Sequence, residues 1–330
     1  MASGVVAALA YAGPPPLTLV RTFTSWRFTP GVAAAVAVLG GGYGVGLCRR
    51  PASAGAWPRG RTVSFAAGIV IIAIVGMSFL GVYDDTLFWV RAVQNIVLLM
   101  VVPMLLAMGA PFTLLRDMLP APARARLSRL LHSKTARLLT FPLIVTVVLT
   151  LPLLVLYLSP LYEMTLRSAV ASAVAGLVLA TTGFIYFWTR FRIDPAPRTD
   201  SYGVTLAITV VEMIGDAVLG VVLWLGPLVA AGYYTALARD WGPSVQVDQW
   251  LGAGALWIGG DVVGLPFIGV VFARMTREDH QKAVVIDAEL DARDAERAAA
   301  TAEPDGPQEA DRPRLWWEDD PELSHRFRRR

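Results

Sequence analysis

Seven apolar runs, each long enough to cross a bilayer as a helix of about twenty residues, dominate this chain. They lie near 30–48, 62–82, 86–109, 138–158, 168–190, 203–226 and 249–273. The expected fold is therefore all-α: a polytopic membrane helix bundle with about seven transmembrane helices over residues 30–275. Composition agrees, with 55% hydrophobic and only 17% charged residues, the profile of a membrane protein rather than a soluble enzyme. Pro103, Pro142 and Pro152 should each kink or locally open a helix. The first run is rich in glycine between Gly40 and Gly46, which favours close helix contact.

Charge in the connecting segments sets the expected orientation. Cations gather at Arg49, Arg50, Arg59 and Arg61, then at Arg116, Arg124, Arg126, Arg129, Lys134 and Arg137, then at Arg190, Arg192 and Arg198. The alternate segments, among them Tyr83-Asp84-Asp85, are acidic or nearly neutral. The positive-inside rule puts the N-terminus outside and the C-terminus in the cytoplasm. Residues 1–29 read as a short extracytoplasmic segment, 276–303 as a charged cytoplasmic helix, and 304–330 as a disordered tail.

The third run carries groups that a lipid-facing helix should not. Arg91, Gln94 and Asn95 stand at i, i+3 and i+4, so they share one face. A charge at membrane depth costs several kcal/mol, roughly, unless it is paired. Further acids lie at Glu212 and Asp216 in the sixth run, at Asp261 in the seventh, and at Asp248 at its outer mouth. These groups are expected to converge inside the bundle, either as a network that fixes packing or as a site for a cation, a proton or a partner's polar group. Met100, Met104 and Met108 repeat at i+4, a thioether stripe that offers soft ligands to Cu(I) and equally fills gaps between packed helices.

Other chemistries are excluded by what the chain lacks. Its histidines, His132, His280 and His325, all fall in segments mapped to the cytoplasm, so no intramembrane pair is available for haem or copper. Lys134 and Lys282 lie outside the runs, which excludes a retinal Schiff base, and the single Cys48 excludes an internal disulfide. No phosphate-binding glycine loop, nucleophile elbow or HExxH occurs, so catalysis has no visible machinery.

FWVRAVQNIVLLMVVPMLLAMGAPFTLLR in the third run, SPLYEMTL with FIYFWTRFRIDPAP, and DQWLGAGALWIGGDVVGLPF together cover most of residues 60–275. Their order resembles the caa-type cytochrome c oxidase assembly factor family, a seven-helix bacterial membrane family. The most specific marks are Pro103, Leu105, Leu106, Gly109 and Pro111, then Asp248-Gln249 with Trp257. The resemblance implies a seven-helix fold, a multi-pass place in the bacterial plasma membrane, and oxidase or other respiratory subunits as partners alongside the lipid bilayer. Family members carry histidines in the third helix where this chain has Arg91 and Asn95 around Gln94, and in the fifth, which here reads SAVASAVAGLVLATTG. The resemblance thus keeps the fold and weakens copper delivery, because an arginine repels a metal cation. The resulting expectation is a non-enzymatic assembly or scaffold factor with no nucleic-acid partner. The alternative is a transporter of an ion or small solute using the intramembrane acids.

Overall fold

The computed structural model describes residues 11–51, 54–134, 136, 141–191 and 202–301. Within 202–301 several side chains, those of Glu212 and Asp216 among them, lie outside the description, as does the tail over 304–330. The chain divides into two units, Met1–Arg274 and Met275–Arg330.

No strand occurs among the described residues. In chain order the helices are α1 (Leu19–Thr24), α2 (Pro30–Arg49), α3 (Arg59–Met77), α4 (Phe79–Val82), α5 (Phe88–Ile96), a π-turn (Val97–Val101), α6 (Val102–Met108), α7 (Pro111–Met118) and α8 (Ala121–Leu131). Then come α9 (Pro142–Tyr157), α10 (Leu161–Arg167), α11 (Ala169–Phe191), α12 (Tyr202–Leu225), α13 (Ala231–Ala236) and α14 (Val245–Thr301). A helix lies at each place where an apolar run was expected. Four of the described helical stretches are long and apolar enough to cross a membrane: Pro30–Arg49, Arg59–Val82, Phe88–Met108 and Ala169–Phe191. A fifth is reached if α9 and α10, bent by 70° at their junction, form one broken span.

Phe88–Met108 is the hub of the first unit. Two thirds of its apolar window (67%) is buried inside the protein, against 33% or less for the other long helices. Helix α3 packs along α6, and α11 packs along both α6 and the π-turn. Outside this centre the helices turn apolar side chains outward in helical rows. On α9 the row is Leu143, Val147, Leu151 and Val155, all more than 40% exposed, which suits a hydrocarbon surround rather than water.

The π-turn has an identifiable cause. Pro103 has no N–H to give the Leu99 carbonyl four residues back, so the regular ladder cannot pass this point. The chain widens by one residue, and the Val102 N–H reaches the Val97 carbonyl instead. Gly183 of α11 fits closely against the Leu99 carbonyl. A Cβ at Gly183 would stand 1.8 Å from that oxygen and 2.9 Å from the Pro103 ring. Only glycine allows this approach.

At the far end the chain turns by a defined device. Ala110 adopts a left-handed conformation (φ 52°), and Pro111 starts α7 at its first position. The Tyr43 hydroxyl donates to the Gly109 carbonyl at 2.9 Å, while the Tyr43 ring stacks on Phe65 at 3.9 Å. A Cβ at Gly109 would meet the Phe65 ring at 2.7 Å. The Pro-x-Leu-Leu-x-x-Gly-x-Pro segment therefore encodes a helix interruption, a packed turn and a restart.

Gly183→Ala should lower stability by about 1–3 kcal/mol or more, since the obstacle is backbone rather than a movable side chain. Gly176→Ala on the same helix, whose new methyl would meet its nearest neighbour at 3.4 Å, should be neutral or stabilising. Thermal unfolding of the two variants in detergent separates them. Equal melting temperatures would show that the close approach does not constrain the fold.

Candidate functional site

Arg91 stands in the first turns of α5 and is 4% exposed. Its Nη1 donates to Asp84 Oδ2 at 3.0 Å, to Ser172 Oγ at 2.8 Å and to Gln94 Oε1 at 3.2 Å. Its Nη2 donates to the Thr165 carbonyl at 3.0 Å. Thr165 lies in the last turn of α10, where carbonyls have no partner within their own helix and the helix dipole is negative. One guanidinium thus joins the turn before α5, the end of α10 and the start of α11. Removing it would leave the Thr165 carbonyl without this donor and Asp84 with Arg27 as its one cation among the described residues.

The neighbouring polar groups extend this cluster. Gln94 Nε2 donates to the Val75 carbonyl at 3.2 Å, and Asn95 Nδ2 donates to the Tyr157 hydroxyl at 2.9 Å. Tyr157 stacks on Tyr162 with ring centres 5.0 Å apart, and the Tyr162 and Tyr234 hydroxyls share a hydrogen bond at 2.8 Å. Phe88 closes the aromatic group at 5.3 Å from Tyr162. Arg91, Gln94 and Asn95 do share a face, as their spacing predicts, and each is buried and hydrogen-bonded.

Among the described residues the carboxylate paired with Arg91 is Asp84. Asp84 belongs to the acidic segment before α5, and it also faces Arg27 at 3.6 Å. The short turn after α4 folds back over the start of α5 and delivers this acid to the arginine. Among the described residues no ion pair joins Asp261 to Arg91, and Asp261 Oδ1 is buried without a hydrogen-bond partner. Glu212 and Asp216 cannot be placed, their side chains lying outside the described residues.

Asp248 performs a separate task. Buried to 1% exposure, it accepts the Phe88 N–H at Oδ2 (3.1 Å) and the Trp89 N–H at Oδ1 (3.0 Å). Those amides belong to the first turn of α5, which has no cap of its own: Leu87 stands at its N-cap position. An acid from another helix therefore supplies the cap across the bundle. Gln249 does the converse: its Nε2 donates to the Leu223 and Pro227 carbonyls at 2.8 and 3.1 Å, and its Oε1 accepts the Val229 N–H at 2.7 Å. Sequence reading found the Asp248-Gln249 pair but not this role; the missing clue was an apolar residue at the N-cap of α5.

Met100 sits in the π-turn at 7% exposure, and Met104 packs against the same apolar core. The widened turn lies within the stripe, which is thus no uninterrupted helical row. Among the described residues no group of three His, Cys, Asp or Glu could hold a metal. Around Arg91 the donor set does not fit a copper ion, since a guanidinium occupies its centre and the surrounding oxygens already accept from it.

Asp248→Ala should cost about 2–4 kcal/mol, because two buried amides lose their acceptor. Asp248→Asn retains one side-chain oxygen for these amides but, like Ala, loses the charge that faces Arg239 at 3.4 Å, so it should lose less than Ala. Denaturation of the detergent-solubilised variants measures both, and indistinguishable losses would count against a capping role.

Burial pushes the Asp84 carboxyl above its ordinary value of 3.8, and the nearby Arg91 charge offsets only part of that rise. A raised acid holds its proton more firmly in the folded state, so its contribution to stability is complete below about 3.8 and falls away as pH rises through the higher value. Asp84→Asn should flatten this part of the profile. Melting curves taken between about pH 4 and pH 7 test it; an unaltered slope in the variant would assign the effect to another group.

The profile of the family described as cytochrome c oxidase caa3 assembly factor matches residues 41–278. An uncharacterized protein of Mycobacterium leprae is 28% identical over 291 residues, covering 86% of this chain and 44% of that protein. Uncharacterized proteins of Mycobacterium bovis and Mycobacterium tuberculosis are each 29% identical over 277 residues, 82% of this chain and 42% of theirs. The chain spans less than half the length of these curated relatives. No solved structure gives a significant match.

Proposed function

The chain belongs to the cytochrome c oxidase caa3 assembly factor family, and on that premise we propose that it is a membrane scaffold which binds oxidase subunits during their assembly, without catalysis and without carrying copper itself. The observation that carries this reading is the state of Arg91. At the position where the family resemblance implies a histidine, a buried cation is fixed by Asp84, Ser172 and the Thr165 carbonyl. Such a group stiffens three segments and repels a metal ion. In this reading the protein sits in the bacterial plasma membrane with seven spans, its N-terminus outside and its C-terminus in the cytoplasm. The arginines between α2 and α3 and around α8 support that orientation.

A second reading, a transporter of an ion or small solute, draws support from Asp261. A buried carboxylate oxygen that has no partner among the described residues is a candidate relay for a cation or proton. Uptake by proteoliposomes that is abolished by Asp261→Asn would favour it.

Deleting the gene should deplete the assembled oxidase, and the wild-type chain should restore it. The triple variant Met100→Leu, Met104→Leu, Met108→Leu should restore it equally well. Oxidase quantity by haem absorbance and by subunit immunoblot provides the measurement. Unchanged oxidase in the deletion strain would refute the assembly role. Failure of a normally folded triple variant, together with copper bound by the wild type alone, would refute the copper-free part.

A further inference from the structure

Helix α8 follows α7 after Pro120, and none of its residues is buried. Its three leucines, Leu127, Leu130 and Leu131, fall with Ala123 at i+4, i+7, i+8 and i of a single helix face, while the small Ala121 and Ala125 lie off it. Leu130 is 68% exposed. Arg124 and Arg126 flank this face on either side by helical geometry, and Arg129 lies on the polar side. Arg124 is engaged at the corner, donating to the Arg116 and Leu119 carbonyls at 3.2 and 3.3 Å. Arg126 and Arg129 make no hydrogen bond or ion pair among the described residues and point outward.

Charge and position together identify what covers this face. Residues 118–140 contain Arg124, Arg126, Arg129, Lys134 and Arg137 and no acid. The stretch is tethered close to membrane ends on both sides, by the hub helix ending at Met108 and by α9 beginning at Pro142. A basic amphipathic helix held there has a bilayer surface within reach, and flanking arginines can extend their stems along the acyl boundary toward phosphates. We propose that α8 lies in the plane of the membrane, with its leucine face in the lipid boundary and Arg126, Arg129 and Lys134 on the headgroups of anionic phospholipids. The inference requires that the flanking helices span a membrane; it is independent of the assembly role and of any oxidase subunit.

The test uses the full chain in a Cys48→Ala background, with Leu130→Cys or Ser128→Cys carrying an environment-sensitive fluorophore. Leu127→Cys reads the same apolar face if labelling at 130 disturbs folding. The protein is reconstituted in vesicles of phosphatidylcholine alone or mixed with equal parts phosphatidylglycerol. In the anionic vesicles the label at position 130 should shift to the blue and resist aqueous iodide, while the label at 128 stays quenchable. Adding Arg126→Gln, Arg129→Gln and Lys134→Gln should weaken the anionic preference on the order of a hundredfold, at about fivefold for each charge. Equal quenching at 128 and 130 in both vesicle types would overturn an in-plane helix. Shielding at 130 that ignores phosphatidylglycerol and the triple substitution would overturn the anionic-lipid assignment. Shielding that arises only when a second protein is added would overturn lipid as the occupant.

Discussion

A backbone group that leaves a helix inside an apolar bundle has no water to turn to. In this protein three side chains meet that need from a distance. Arg91 serves the carbonyl end of α10, Asp248 the amide end of α5, and Gln249 the carbonyl end of α12 with the loop beyond it. All three are buried. Between them they fix where the short, bent segments meet the long helices, and the aromatic group of Phe88, Tyr157 and Tyr162 packs into the space that results. Arg91, Asp248 and Gln249 thus place their polar groups where helices stop.

That distribution explains what sequence reading reached and what it could not. Helices could be located from apolar length alone, because a stretch of some twenty such residues has few other uses. The common face of Arg91, Gln94 and Asn95 followed from spacing. Their partners did not, since periodicity tells which side of a helix a residue occupies and nothing about what lies opposite. In sequence Asp84 is indistinguishable from ordinary loop charge, and only the tight turn after α4 carries it back to Arg91. The pair Asp248-Gln249 stood out as a motif, yet its meaning depended on an uncapped helix about 160 residues away in the chain. Pro103 is legible as an interruption, but that it widens the turn holding Met100 rather than kinking the helix is not.

Membership of an oxidase assembly family gives these features a setting. For the scaffold role proposed above, the outer faces would be kept constant by a centre that cannot easily rearrange. A cation bound to one carboxylate, one carbonyl and two neutral oxygens has little freedom to do so. The scaffold reading and this rigidity support one another. The same centre is a poor host for a second cation, and this sets the chain apart from the metal-ligating pattern that its resemblance implies.

The π-turn also separates two problems that an ordinary helix would have to solve together. One extra residue rotates everything that follows by about 100°. Upstream of Val97 the helix is oriented by Arg91 and its hydrogen bonds; downstream it is oriented by Leu106 against Gly68 and by Gly109 against Phe65. Deleting a single residue from the turn would spoil the protein even if the turn narrowed, because the two halves could no longer both face their own neighbours. The widened turn works as a phase shifter, and its length is as much a part of the design as any side chain it carries.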